Sequence, residues 1–95
     1  MSSDRKIQTA PLFRRKAKKL TKTEKKSLDD AVREVWKNPE IGQAKVGDLQ
    51  GVKVHKFKMN KQQILLGYEV SDEEILLLTF GSHENYYRDL KNYRR

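Results

Sequence analysis

Three strand-like apolar runs occupy the second half of the chain, at residues 52–59, 63–70 and 74–80. The connections between them, residues 60–61 and 71–73, are short and polar. Short connections between runs of strand length predict antiparallel hairpins, so the pattern indicates a three-stranded meander. Because both faces of the last run are apolar, this strand is expected to be buried and central in its sheet. The alternation assigns its residues to two faces: Ile75, Leu77 and Thr79 on one, and Leu76, Leu78 and Phe80 on the other.

The first of these runs changes the phase of its alternation. Every second residue of this run, which would share one face of a strand, is first a valine and then a lysine: Val52, Val54, Lys56 and Lys58. Either a β-bulge near His55 re-aims the chain, or one face carries valines at its edge and lysines toward its centre. Both alternatives present the two lysines side by side on the exposed surface of the sheet.

The first half of the chain has the residue spacing of helices. Pro11 suits the first turn of a helix, because its fixed φ angle matches helical geometry. A second helix begins at Thr21 or Thr23, since Thr21 and Glu24 have the spacing of a capping box. It ends before Pro39, because the residue preceding a proline avoids the helical region. Its apolar face recurs at helical spacing and consists of Leu28, Ala31, Val32, Val35 and Trp36.

The remaining segments complete the predicted fold. Residues 1–9 form a tail or a first edge strand, residues 40–51 form a loop anchored by Leu49, and residues 84–93 have the apolar spacing of a final helix. The expected fold class is α+β. A small antiparallel sheet, made of the N-terminal strand and the three-stranded meander, is packed by an N-terminal helical hairpin and a short C-terminal helix. The chain of 95 residues is expected to form a single domain, residues 1–95.

Basic residues clearly outnumber acidic ones. Lys and Arg number 21 against 13 Asp and Glu, which gives a formal net charge of +8 at pH 7. A charge excess of this size predicts that a polyanion or an acidic protein binds, although a soluble basic domain without such a partner is the alternative. The cations predicted to contact nucleic acid are Arg14, Arg15, Lys18, Lys53 and Lys61.

Several function classes are excluded by composition. The chain has no Cys, so disulfides and thiolate metal sites are ruled out, and its two His residues lack the paired spacing of a structural zinc site. We therefore expect neither a metal nor a cofactor. The longest apolar runs fall short of the ~20 residues that span a bilayer, and the polar start lacks the apolar segment of a signal peptide. A cytoplasmic protein without membrane contact is expected.

Reactive side chains follow the last strand, at His83, Glu84, Tyr86, Tyr87 and Arg88. An imidazole ordinarily titrates near neutrality, so His83 is the candidate general acid or base. Glu84 is a candidate partner of His83 or the base itself. A histidine at a helix N-terminus with no catalytic role is the alternative for His83. His55 shares a face with Phe57 and is interpreted as a structural residue or as one at the rim of the site.

This cluster and the two lysines of the first strand-like run are candidate groups for binding RNA. Lys56, Lys58 and Arg88 would stabilise negative charge on a phosphate during cleavage. Tyr87 or Tyr86 would stack on an unpaired base, because aromatic rings bind splayed bases in this way, and Tyr87 is favoured as the outward ring. Tyr86 lies on the apolar stripe of the final helix and is expected to pack on the sheet. Solvated surface lysines are the alternative for Lys56 and Lys58.

The order of elements, together with three local motifs, resembles the RelE/ParE superfamily of bacterial toxins from type II toxin–antitoxin pairs. The motifs are Leu-Gln-Gly at residues 49–51 before a Lys-x-Lys strand, Leu-Gly-Tyr-Glu-Val at residues 66–70, and a Gly-Ser-His corner at residues 81–83. The similarity extends over nearly the whole chain and is greatest to the RelE/YafQ-like branch. This resemblance implies a cytoplasmic toxin whose partner is a cognate antitoxin protein, and operator DNA would be bound through the antitoxin complex.

The resemblance also implies an activity. RelE-like members cleave messenger RNA on the ribosome, so a ribosome-dependent, metal-free endoribonuclease that inhibits translation is expected. Lys56 and Lys58 fall where that branch has its strand lysines, and His83 falls where a catalytic or phosphate-binding residue sits. The chain departs from the branch at Leu65 or Gln63, where an arginine is expected, and it lacks the YafQ-like acid/base pair near Asn60. The alternatives are ParE-like inhibition of DNA gyrase or a basic nucleic-acid-binding module.

Overall fold

The structure, a computed structural model, describes residues 5–44 and 51–93. Within them, one sheet carries a helical hairpin on one face and a C-terminal helix on the other. Leu49, predicted to anchor a loop, lies outside the described residues. In chain order the elements are β1 (Lys6–Thr9), α1 (Pro11–Ala17), α2 (Lys22–Lys37), a 3₁₀ turn (Pro39–Ile41), β2 (Gln43–Ala44), β3 (Lys53–Met59), β4 (Gln62–Val70), β5 (Glu74–Gly81) and α3 (His83–Tyr93).

The α+β class and the meander are confirmed, but the sheet is mixed rather than purely antiparallel. Its strand order is β1-β5-β4-β3-β2, and β1 pairs with β5 in the parallel sense. The predicted loop before β3 contains the two-residue strand β2, which pairs with Val54 and Lys53. The last strand is interior, as expected, yet β4 occupies the centre of the sheet. Strand length and alternation alone do not indicate which neighbour a strand will have.

Local signals determine the helical hairpin as predicted. α1 begins at Pro11, and the capping box of α2 is formed in both directions. The Glu24 amide donates to Thr21 Oγ1 at 3.2 Å, and the Thr21 amide donates to Glu24 Oε1 at 3.0 Å. α2 ends at Lys37, just before Asn38 and Pro39. These reciprocal bonds satisfy two of the amides that a helix N-terminus leaves unpaired.

Two apolar cores lie on opposite faces of the sheet. The larger packs the helical hairpin on the sheet and includes Phe13, Leu28, Val35, Leu66, Tyr68 and Ile75. The smaller lies beneath α3 and consists of Val52, Val54, Leu65, Leu78 and Tyr86, with Leu76 and Tyr87 packed against it. β4 contributes alternate residues to the two cores, because successive side chains of a strand point to opposite faces.

A β-bulge in β5 corrects the predicted faces of that strand. Gly67 pairs with Thr79 and Tyr68 pairs with Leu77, so Leu78 is the extra residue. The phase changes at this point: Phe80 joins the larger core, and Thr79 lies on the α3 side with Leu78. The predicted placement of Thr79 and Phe80 was therefore wrong, because an inserted residue shifts every later side chain to the opposite face.

Candidate nucleic-acid interface

The lysines of β3 lie on the same face of the sheet as α3. β3 pairs with β4 in one uninterrupted register, so there is no bulge near His55. Lys56 and Lys58 therefore follow Val54 on the face of the smaller core, which is the second of the two predicted alternatives. Both lysines are exposed, and neither forms an ion pair with a residue that the structure describes. Their ammonium groups are available to an anion.

The sheet register brings these lysines to the end of the sheet from which α3 departs. Lys56 pairs with Leu65, and Leu65 pairs with Gly81. Adjacent strands lie about 4.8 Å apart, so the backbones of Lys56 and Gly81 are about 10 Å apart across β4. Lys58 pairs with Gln63, one step nearer the end of the sheet. α3 begins at His83, two residues beyond Gly81, at the same end.

Contacts of α3 determine which of its sides packs on the sheet. Tyr86 is fully buried over Gly67, where a Cβ atom would lie 2.7 Å from Tyr86 Cε1. Asp89 contacts Thr79 of β5 and Lys16 of α1. At about 100° per helical residue, Asp89 lies about 60° to one side of Tyr86, and His83 lies about 60° to the other side. His83 and Tyr87 therefore lie on the flank of α3 opposite Asp89, away from the contacts of that residue with β5 and α1. Their rings are 4.8 Å apart and tilted by 52°.

Two other predicted site residues lie on the outer side of α3. Glu84 and Arg88 are exposed, and both lie more than about 150° around the helix from Tyr86. Arg88 Nη2 donates to Asn85 Oδ1 at 2.7 Å. Of the six residues predicted as catalytic, Lys56 and Lys58 share a face of the sheet with α3, His83 and Tyr87 lie on one flank of that helix, and Glu84 and Arg88 lie on its outer side.

The cations predicted to bind RNA are distributed over several surfaces. Lys53 lies on the opposite face of β3 from Lys56, and its Nζ is 3.4 Å from Glu40 Oε1. Arg14 donates to the backbone oxygen and to Oγ1 of Thr9, so it also holds β1. Three further predicted cations are exposed: Arg15, Lys18 and Lys61.

The second histidine is buried beneath α2, which agrees with the structural alternative and not with a place at the rim. His55 is buried, and its Nε2 is 3.0 Å from Glu34 Oε1 on α2. Its ring is stacked near Phe57, with 6.5 Å between the ring centroids. Because His55 faces the helical hairpin, the sheet separates it from Lys56 and Lys58.

A polar cluster that connects α1, β5 and α3 was missed by sequence reasoning. Lys16 Nζ donates to Asp89 Oδ2 at 2.8 Å, to Thr79 Oγ1 at 3.3 Å and to the backbone oxygen of Phe80. Thr79 Oγ1 in turn donates to Asp89 Oδ2 at 3.1 Å. Lys16 was one basic residue among many in a basic helix, and no local pattern connects it to residues 63 and 73 positions away.

The two buried tyrosines differ in the environment of their hydroxyl groups. Tyr68 Oη donates to the Pro39 oxygen at 2.7 Å and accepts from the Gly42 amide at 2.9 Å. Tyr86 Oη is buried and has no hydrogen-bond partner among the residues that the structure describes. Burial, and secondarily the Tyr87 hydroxyl, raises the pKa of Tyr86, because a phenolate is poorly solvated there. Burial likewise raises the pKa of Tyr68.

Two kinds of feature are absent from residues 5–44 and 51–93. No group of three or more His, Cys, Asp or Glu side chains in these ranges is arranged to hold a metal ion. No helix in the same ranges has the length and apolar character required to cross a membrane.

A family model described as the ParE-like toxin of the type II bacterial toxin–antitoxin system matches residues 7–91. The chain belongs to this family. It is thus a toxin of a type II toxin–antitoxin system, and the resemblance to the RelE/ParE superfamily is confirmed. A search of curated protein sequences finds no match.

Solved structures with the same fold include two that contain the toxin RelE of Escherichia coli. A free double mutant of RelE has a TM-score of 0.69 at 19% identity, with 94% of this chain and 97% of that chain covered. The intact RelBE toxin–antitoxin complex has a TM-score of 0.65 at 21% identity, with 82% of this chain and 95% of that chain covered. YafQ of Escherichia coli has a TM-score of 0.64 at 15% identity, with 87% and 98% covered. At these identities the likeness demonstrates the fold alone.

Proposed function

We propose that this toxin is a ribosome-dependent endoribonuclease that cleaves messenger RNA and inhibits translation. The proposal rests on one observation: the exposed Lys56 and Lys58 share a face of the sheet with α3, one flank of which carries His83 and Tyr87. This surface combines a titratable group, two cations and an aromatic ring in a protein with a net charge of +8. Such groups can transfer a proton, stabilise charge on a phosphate and stack on a base, which are functions that metal-free cleavage of RNA uses.

The proposed reaction is an internal transesterification. A base removes the proton of a ribose 2′-hydroxyl, whose oxygen attacks the adjacent phosphorus while the bond to the 5′ oxygen breaks. The products are a 2′,3′-cyclic phosphate and a 5′-hydroxyl that has received a proton from an acid. His83 is the proposed acid or base, because a neutral imidazole accepts a proton and an imidazolium donates one.

The lysines and the tyrosine would bind the reacting nucleotides. Lys56 and Lys58 would stabilise the negative charge that develops on the phosphorane, a contribution that grows where water is excluded. Tyr87 would stack on a base that is splayed out of the strand, which contributes roughly 1–3 kcal/mol. Arg88 and Glu84 lie on the outer side of α3, so Arg88 is proposed to contact phosphates away from the cut. Glu84 has no role in this scheme.

The same end of the sheet carries a further cation. Asn60 in the β3–β4 turn donates to Glu24 at 2.7 Å, so this turn lies beside the start of α2. Lys61 of this turn is exposed and follows the strand lysines in the chain, so it is proposed to extend their positive surface. Contacts to phosphates of this kind carry no sequence information, and they weaken steeply as salt rises.

A second candidate function is inhibition of a protein target such as DNA gyrase. The observation that favours it is Leu65, which lies between Lys56 and Gly81 in the register and is buried. The resemblance to the RelE branch implies an arginine at Leu65 or Gln63, and neither residue here can supply a positive charge to a phosphate.

The partner proposed to silence the toxin is a cognate antitoxin. The intact RelBE complex is a toxin–antitoxin complex of the same fold, and a +8 protein favours an acidic partner. An acidic segment that orders on binding would cover the lysine face and exclude RNA. Operator DNA is proposed to bind to that complex rather than to the toxin alone.

The test is to induce the protein in bacteria and map the 5′ ends of transcripts. We expect codon-linked cuts on ribosome-bound messages, and we expect His83→Ala to reduce them about 10²- to 10⁴-fold. Lys56→Ala and Lys58→Ala should also reduce cleavage. Lys53→Ala is the matched control, since this lysine lies on the same strand but faces the other way, and cleavage should persist. Growth arrest with intact transcripts and DNA-damage signalling would refute cleavage and support the gyrase alternative.

A further inference from the structure

α3 carries the proposed catalytic histidine, and two contacts are central to holding it in place. The first is apolar: Tyr86 packs on Gly67 of β4 within the smaller core. The second is polar: Asp89 accepts hydrogen bonds from Lys16 of α1 and Thr79 of β5. The two contacts lie on different strands and on adjacent sides of the helix. Together they restrict both the rotation of α3 about its axis and its tilt over the sheet.

The Lys16 ammonium group is engaged by three acceptors, one for each of its protons. It donates to the Phe80 oxygen and to Thr79 Oγ1, and it forms the ion pair with Asp89. The side chains of Lys16 and Asp89 are 26% and 19% exposed. By contrast, those of the Lys26 and Asp30 pair on α2 are 78% and 52% exposed. A partly buried pair with a full set of acceptors has a single geometry, whereas a surface pair is mobile and screened.

The ion pair lies close to the corner from which α3 begins. A Cβ atom at Gly81 would lie 3.1 Å from Lys16 Nζ, and the ammonium lies 5.4 Å from the centroid of the Phe80 ring. His83 follows two residues later, and the six residues from His83 to Asp89 correspond to about 9 Å along a helix. Displacement of α3 at Asp89 would therefore be transmitted to His83 through one short, rigid element.

We propose that Lys16 and Asp89 are positioning residues, which hold α3 so that His83 faces the lysines of β3. This inference rests on the proposed RNA cleavage for its catalytic part, whereas the docking of α3 can be tested independently. Neither residue is proposed to contact RNA, because Lys16 has no proton left to donate and Asp89 would repel a phosphate. Their effect should appear in turnover and not in substrate binding.

The catalytic test measures kcat and KM for cleavage of a defined messenger RNA on purified ribosomes. The variants are Lys16→Met, which keeps the length of the stem, and Asp89→Asn, which keeps the shape and loses the charge. A small displacement of a reacting group can reduce turnover strongly, so we expect kcat to fall about ten- to a hundredfold with KM within about twofold. Lys26→Met is the matched control and should leave both constants unchanged.

A second comparison separates positioning from a general loss of structure. If Lys16 acts through His83, Lys16→Met should cause no further loss of kcat in a His83→Ala background. The kcat of the Lys16→Met/Asp89→Asn double variant should be no lower than that of a single variant. Independent, multiplicative losses would overturn the proposal, as would a rise in KM with kcat unchanged. Should Lys16→Met fail to fold, Asp89→Asn carries the test, because its amide retains an oxygen acceptor.

Hydrogen exchange distinguishes the failure of this inference from the failure of the proposed function. In Lys16→Met, the backbone amides of α3 should exchange at least several-fold faster than in the wild type, with those of β3 and β4 unchanged. If the wild-type toxin cleaves no RNA, the proposed function fails, and faster exchange in α3 still supports the docking role. Unchanged exchange in α3 would overturn the docking role whether or not RNA is cleaved.

Discussion

Removal of the Tyr86 hydroxyl is expected to stabilise the protein. This hydroxyl is buried without a hydrogen-bond partner among the described residues, and an unpaired buried polar group costs about 1–3 kcal/mol. Tyr86→Phe retains the ring that packs on Gly67 and removes the poorly solvated oxygen, at the expense of a small void. We therefore expect the free energy of unfolding in urea at pH 7 to rise by about 1 kcal/mol.

The same variant should change how stability depends on alkaline pH. The pKa of Tyr86 is raised in the folded state, whereas the unfolded chain loses this proton near pH 10. The stability that depends on this proton is present below pH 10 and is lost as the pH rises above it. Above pH 10 the advantage of Tyr86→Phe over the wild type should grow by up to about 1.4 kcal/mol per pH unit. Below pH 9 the difference between the two proteins should be constant.

Tyr68→Phe is the matched control, because it makes the same chemical change at an equally buried tyrosine. Tyr68 Oη bonds to Pro39 and Gly42, so its removal leaves two backbone groups unpaired. We expect a loss of about 1–3 kcal/mol, opposite in sign to the effect at Tyr86. If Tyr86→Phe were also destabilising by more than about 1 kcal/mol, the reasoning from the unpaired hydroxyl would be refuted.

Two further substitutions test the packing of α3 and the start of α2. Gly67→Ala introduces a Cβ 2.7 Å from Tyr86 Cε1. We therefore expect about 1–3 kcal/mol of destabilisation in urea and faster hydrogen exchange in α3. An unchanged unfolding transition would contradict the close packing. Thr21→Ala breaks the capping box and should lower the free energy of unfolding by about 1 kcal/mol, measured by thermal unfolding. Thr23→Ala, at an exposed position inside the helix, is the control and should lower it by less. Equal losses at the two threonines would contradict the assignment of Thr21 as the N-cap.

The candidate surface shows how far local patterns extend. The parity of β3 predicted that Lys56 and Lys58 would be neighbours on one exposed face, and the structure confirms it. The spacing of the final helix correctly predicted that Tyr86 packs on the sheet. Lys53 was grouped with the RNA-binding cations because of its charge alone. Its parity differs from that of Lys56, and residues of opposite parity lie on opposite faces of a strand. Catalytic roles for these residues stay predictions.

The sequence by itself determined the limits of the helical hairpin, the three-stranded meander and the basic character of the surface. These features follow from signals within a few residues, such as Pro11, the capping box of α2 and the alternation along a strand. Only the tertiary structure decided the parallel pairing of β1, the bulge at Leu78 and the ion pair between Lys16 and Asp89. Each of these depends on groups far apart in the chain, and Lys16 and Asp89 are separated by 73 residues. Contacts at such distances are selected by the packing of the whole molecule, so no local pattern encodes them.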